Sequence, residues 1–169
     1  MIKLEDGGPM IHRRTVLGLG GTGFEALKLR TMRPDADQWL AEQTELAAQY
    51  EKTFKLADDP RITSIGCPLR KLSIDELPQL INVIRGDMSL VGPRMIHPAE
   101  LKKFGEFGPL RMSIKPGVTG LWQVSGRDEA DYLRRIELDR EYLEKRSLGF
   151  DLLILFTTLP AVVSRRGAI

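Results

Sequence analysis

The chain has 169 residues, 42% hydrophobic and 28% charged, a balance that fits one folded globular domain. Its 25 basic and 23 acidic residues leave a net charge of +2, too small for a nucleic-acid binder that works through a basic surface. A single cysteine, Cys67, excludes an intrachain disulfide, fits a cytoplasmic setting and is expected as a small, buried packing group.

Residues 8–31 read as a short β-hairpin: Met10 to Leu17, a glycine-rich turn, then Phe24 to Thr31. The turn, Gly18-Leu19-Gly20-Gly21-Thr22-Gly23, has the glycine spacing of a dinucleotide-binding loop. That loop needs a helix after it and an acid about 20 residues on. Here a strand pattern follows, and Asp35 and Asp37 come too early, so a hairpin turn explains the glycines better. Residues 34–53 read as one helix, with Trp39, Leu40, Leu46 and Tyr50 as its less polar positions. Asp58-Asp59-Pro60 marks a turn.

The next segment carries the most chemistry. Ser73 followed by Glu76 reads as a capping box at the start of a helix from about Ile74 to Arg85. Leu77, Leu80, Ile81 and Ile84 form an amphipathic stripe, and Gly86 ends it. Asp75 then lies in the first turn, where the helix dipole favours its ionised form. Pro78 sits past the first helical position and argues against a plain helix start. Two adjacent carboxylates behind Arg70 and Lys71 suit an activated carboxylate that works on a phosphorylated substrate. The same residues also suit a simple helix cap.

Further on, glycine and proline dominate loops at Gly92-Pro93 and Lys115-Pro116-Gly117. Asp128 to Arg146 reads as a charged helix with Asp128 as its cap. Tyr132, Ile136, Asp139 and Leu143 share one face of it. A carboxylate on an apolar face needs a partner, so Asp139 either holds an arginine structurally or serves the active site. Leu152 to Val163 has no charged residue and is shorter than the roughly 18 residues that cross a bilayer. It reads either as a buried core helix or as an interfacial helix, with Arg165 and Arg166 meeting headgroups. His12 and His97 are isolated, no zinc spacing occurs, and no Gly-x-x-x-x-Gly-Lys loop is present.

Three runs appear in order: Asp75-Glu76-Leu77-Pro78-Gln79-Leu80, then Gly86-Asp87-Met88-Ser89-Leu90-Val91-Gly92-Pro93-Arg94, then Lys115-Pro116-Gly117-Val118-Thr119-Gly120-Leu121-Trp122-Gln123-Val124-Ser125-Gly126-Arg127. From about Gly8 to Ala168 the chain resembles the bacterial sugar transferase family, the monotopic polyprenyl-phosphate phosphoglycosyl transferases. The resemblance implies an α+β, mainly helical single domain: a short N-terminal hairpin, then helices, with an apolar C-terminal helix at the membrane interface. It implies transfer of a phosphosugar from a UDP-sugar to polyprenyl phosphate, with release of UMP, at the start of exopolysaccharide, capsule or O-antigen synthesis. Asp75 is the implied nucleophile, forming an acyl-phosphate, and Glu76 its partner in metal binding or proton handling. Magnesium is the implied cofactor, with Asp75 and Glu76 as its ligands. Lys28, Arg70, Arg94 and Arg127 match basic residues that contact substrate phosphates, a task suited to guanidinium forks. The family also carries an acid at Asp139.

Two departures stand out. Met95 replaces the second proline of a Pro-Arg-Pro element, and Leu29 replaces an aromatic residue. Family members carry a re-entrant membrane helix ahead of the Gly-Pro element, which here is Gly8-Pro9 close to Met1. The expectation is therefore a catalytic portion without that segment. The full protein would sit at the cytoplasmic face of the inner membrane, and this chain would be soluble or peripheral. The resemblance leaves a homo-oligomer open. A non-catalytic membrane-surface scaffold is the alternative, and a nucleotide-binding regulatory domain a third.

Overall fold

The computed structural model describes residues 1–54, 56, 58–126 and 132–163. The chain opens with α1 (Ile2–Asp6) and the hairpin β1 (Ile11–Leu17) and β2 (Gly23–Leu29). Then come α2 (Ala36–Ala41), α3 (Thr44–Thr53), α4 (Gly66–Lys71), a 3-10 turn (Ile74–Glu76), α5 (Gln79–Arg85) and β3 (Ser89–Val91). A 3-10 helix (Pro98–Phe104), α6 (Phe107–Arg111), β4 (Gly117–Thr119), α7 (Leu121–Val124), α8 (Tyr132–Lys145) and α9 (Leu148–Val163) complete it. Helices outweigh strands, as the α+β reading expects. Two short sheets make up the β structure: the antiparallel β1–β2 pair, in register from Ile11↔Leu29 to Leu17↔Gly23, and the parallel β3–β4 pair.

Asp128, Arg165 and Arg166, given roles above, lie outside the described residues. The helix expected over 34–53 is two helices. Gln43 leaves helical geometry at φ −103° and ψ 85°, which separates α2 from α3. The helix expected from Ile74 is also broken. Ser73 adopts a left-handed conformation (φ 53°) and makes no side-chain cap, so the capping box does not form. A 3-10 turn carries Asp75 and Glu76, and α5 starts after Pro78. Proline fits there because a helix start leaves backbone N–H groups unpaired.

α5 is also turned the opposite way from a core helix. Its apolar stripe faces outward: Leu77, Leu80, Ile81 and Ile84 are exposed, Ile84 at 86%. Gln79 and Asn82 are the buried residues. The Asn82 amide donates to Glu25 O at 2.8 Å and Asp87 Oδ2 at 3.1 Å, while its Oδ1 accepts from Leu27 N at 3.0 Å. One side chain therefore clamps α5 to β2.

Two glycines permit the closest approaches. A Cβ at Gly117 would lie 2.1 Å from Gly92 N, so the Gly92-Pro93-Arg94 and Lys115-Pro116-Gly117 loops cross only without one. A Cβ at Gly66 would lie 2.0 Å from Thr31 O, and this contact sets α4 against the end of the hairpin.

The core has two buried clusters. Leu17, Ile96, Phe104, Phe107 and Met112 pack under the hairpin, and Val91, Tyr142 and Ile154 pack β3 against α8 and α9. The C-terminal helix is buried on one side only. Ile154 is buried, while Leu152, Leu153, Phe156 and Leu159 are exposed. Cys67 is half-buried rather than buried, because its helix lies near the surface. Among the described residues, no helix is long and apolar enough to cross a membrane.

Candidate active site

Asp75 is 7% exposed and lines a cavity of about 920 Å³. The left-handed turn at Ser73 redirects the chain from α4 into this cavity, and the hairpin closes the opposite wall. Lys28 comes from β2, directly across from His12 on β1. Its Nζ donates to Glu76 Oε1 at 2.8 Å, and Arg94 Nη2 lies 3.1 Å from the same oxygen. Arg70, at the end of α4, donates Nε to Thr31 Oγ1 at 2.8 Å. Lys28, Arg70, Arg94 and the dyad thus share one cavity.

Burial raises the Asp75 pKa above the ordinary carboxylate value, and the negative charge of Glu76 pushes the same way. Lys28, Arg70 and Arg94 oppose this without reversing it. The dipole effect expected from a helix first turn does not dominate, since Asp75 sits in a three-residue turn. A partly desolvated carboxylate facing three cations is the pattern of a functional acid rather than a helix cap.

Asp139 is buried on α8, and its Oδ2 accepts from Arg111 Nε at 2.8 Å. It does not line the cavity. Arg111 in turn donates Nη2 to the main-chain carbonyl of Arg94. Of the two roles open to Asp139, the structure supplies the arginine partner, and that partner leads to the site. Arg127 lies outside the described residues.

Asn82, Thr31 and Arg111 all shape the site and went unnoticed in the sequence. Asn82 had one available signal: it and Gln79 are three apart on the polar side of an otherwise apolar helix. His12 also lines the cavity, with burial lowering its pKa before the smaller effects of nearby charges. His97 lines the cavity too and caps the 3-10 helix, accepting from Ala99 N at 3.3 Å. Arg30 is structural, gripping Asp6 with its two terminal guanidinium nitrogens at 2.5 Å.

The dyad fits a magnesium site in donor chemistry, because magnesium commonly takes one or two carboxylates and completes its shell with substrate phosphate and water. Among the described residues no cluster of three His, Cys, Asp or Glu residues forms a self-sufficient metal cage.

Residues 1–165 match the model of the family described as bacterial sugar transferase. The exopolysaccharide production protein ExoY of Sinorhizobium fredii is 44% identical over 172 residues, covering 99% of this chain and 76% of that protein. The undecaprenyl-phosphate galactose phosphotransferase of Salmonella typhimurium is 45% identical over 167 residues, covering 96% of this chain and 35% of that protein. The UDP-glucose:undecaprenyl-phosphate glucose-1-phosphate transferase of Escherichia coli is 38% identical over 166 residues, covering 94% of this chain and 33% of that protein. The chain thus spans about three quarters of the first relative and about a third of the other two. With a buried Asp75 beside a half-buried Glu76 that pairs with Lys28 and Arg94, and with a family match along nearly its whole length, the chain belongs to the bacterial sugar transferase family.

Proposed function

We propose that this chain transfers a sugar phosphate from a UDP-sugar to polyprenyl phosphate, with Asp75 as a covalent nucleophile. The observation that carries the reading is the placement of Asp75: buried at a cavity whose walls supply Lys28, Arg70 and Arg94. The names of the relatives support the substrate classes.

The chemistry balances without an added acid or base. An Asp75 oxygen attacks the phosphorus that bears the sugar. The bond from that phosphorus to the bridging oxygen breaks, and UMP leaves with the electron pair. An oxygen of polyprenyl phosphate then attacks the same phosphorus and expels the Asp75 carboxylate. Splitting one displacement into two in this way is ordinary covalent catalysis. Lys28, Arg70 and Arg94 stabilise charge on the phosphoryl oxygens as it redistributes. Glu76, engaged by Lys28 and Arg94, fixes the direction of both cations. Asp75 and Glu76 would hold magnesium, which would supply further charge neutralisation.

A lipid-linked acceptor accords with the surface. An apolar groove of about 440 Å³ is lined by Ile2, Met10, Leu29, Leu69, Leu72 and Ile74, the last of these next to Asp75 in sequence. α5 and α9 also expose apolar side chains, and exposed apolar surface marks contact sites for membrane or partners. The membrane side of the cytoplasmic face is the setting this reading requires.

The test is UMP release with magnesium, a panel of UDP-sugars and a short polyprenyl phosphate in detergent. Release by the wild type and none by Asp75→Asn supports the reading, and the best donor identifies the sugar. Vesicle binding with no UMP release from any donor favours a non-catalytic scaffold instead.

A further inference from the structure

Arg135, on α8, is a charged group in an expensive place. Its side chain is 9% exposed, and ring centroids of Trp122, Phe104 and Tyr132 lie 4.9, 5.3 and 5.9 Å from its guanidinium carbon. Its Nε–H has no partner among the described residues. Burial lowers its pKa to about 10, so the group stays charged at neutral pH. An apolar side chain would fill the same space without desolvating a cation, so packing alone does not explain an arginine here.

Its polar contacts lead to the active site. Arg135 Nη2 donates to the Arg94 carbonyl at 3.3 Å, and Arg111 donates to the same oxygen. Arg135 and Arg94 also share Trp122, whose ring centroid lies 6.0 Å from the Arg94 guanidinium carbon. Glu100 balances Arg135 from 3.5 Å, but it also accepts from Tyr132 Oη at 3.1 Å and from His97 N at 2.9 Å. Arg135 therefore joins α8, α7 and the Gly92-Pro93-Arg94 loop behind the residue that pairs with Glu76. It lines the same cavity as Asp75.

We infer that Arg135 is a positioning residue for the donor, holding the backbone and ring platform of Arg94 so that Arg94 meets both Glu76 and the donor diphosphate. This rests on the reading of the cavity as a UDP-sugar site. A guanidinium is needed because one group must reach the carbonyl while its flat face lies against Trp122.

A double-mutant cycle in UDP affinity, measured by calorimetry with magnesium, separates positioning from packing. Arg135→Gln should weaken UDP binding about tenfold in the otherwise wild-type chain and less than about twofold in an Arg94→Ala background. Arg135→Lys should recover part of the loss. Melting curves on the same variants show whether they fold. Independent, additive losses, or unchanged affinity in a folded Arg135→Gln, overturn the inference. A folded wild type that binds no UDP contradicts the donor reading instead. The Arg94 Nε–H signal in NMR then decides the positioning claim: narrow in wild type and exchange-broadened in Arg135→Lys upholds it, and no change overturns it.

Discussion

Lys28 Nζ and Glu76 Oε1 lie 2.8 Å apart, so an ion pair joins the hairpin to the turn that carries Asp75. The pair is only partly exposed, at 25% and 12% of its side chains, and it sits within the electrostatic reach of Asp75. Lys28 is the largest influence holding the Asp75 pKa down against burial. Lys28→Met should therefore raise that pKa further and move the acid limb of the rate–pH profile to higher pH. It should also lower kcat/KM by about 10²-fold, the scale of one lost electrostatic stabiliser. The profile of UMP release against pH checks this, and an acid limb that stays in place contradicts it.

Stability should respond to Asp75 in the opposite sense from a salt-bridged carboxylate. Its folded pKa is raised, so ionisation is less favourable in the folded chain than in the unfolded one. Below the ordinary aspartate value of 3.8 both states are protonated and the group has no effect. As pH rises from there through the folded pKa, the cost develops, and above the folded pKa it is complete. Asp75→Asn should therefore raise the melting temperature at neutral pH while abolishing transfer. Melting curves should show the gain shrinking as the pH is lowered toward 3.8. A lower melting temperature at neutral pH contradicts the account.

Arg111 and Asp139 form a buried pair, 1% and 3% exposed at their side chains. Removing one partner strands the other charge, so Asp139→Ala should cost about 3–5 kcal/mol of stability. Arg111→Met should cost a similar amount and also release the Arg94 carbonyl. Denaturant unfolding checks both. A loss below about 1 kcal/mol would show that Asp139 does not depend on this pairing.

Much of this architecture was readable in the residues, for physical reasons. The hairpin announced itself through a glycine-rich turn between two strand-like runs, and the dyad through adjacent acids behind basic residues. The helix after the dyad was legible as a helix but not in orientation, because periodicity reveals a stripe and not what it faces. Leu80 and Ile84 look like core residues on a wheel, yet Gln79 and Asn82 are buried instead, and the Asn82 amide satisfies three backbone and side-chain partners at once. Ser73 shows the same limit: a capping box and a left-handed turn use the same residue, and only the path of α4 decides between them. Arg111 was invisible because its partners, Asp139 and the Arg94 carbonyl, are far away in sequence.

The inverted helix gives its own prediction. Ile84→Ser combined with Leu80→Ser should change stability by less than about 0.5 kcal/mol per site, as substitutions at exposed positions do. The same variant should bind anionic vesicles more weakly in a flotation assay and need more polyprenyl phosphate for half-maximal rate. Asn82→Ala should do the reverse. It should cost about 1–3 kcal/mol through stranded polar groups, with vesicle binding unchanged. Large destabilisation by the serine pair would mean that the stripe is packed rather than open.

The central claim is that Asp75 carries the sugar phosphate on its own carboxylate. Its most direct test is the intact mass of the protein after incubation with UDP-sugar and magnesium, with no acceptor present. The account predicts a mass gain equal to one sugar phosphate, mapped to the peptide bearing Asp75, absent in Asp75→Asn and lost when polyprenyl phosphate is added. Efficient turnover with acceptor, but no adduct under rapid acid quench, would contradict it and point to direct displacement.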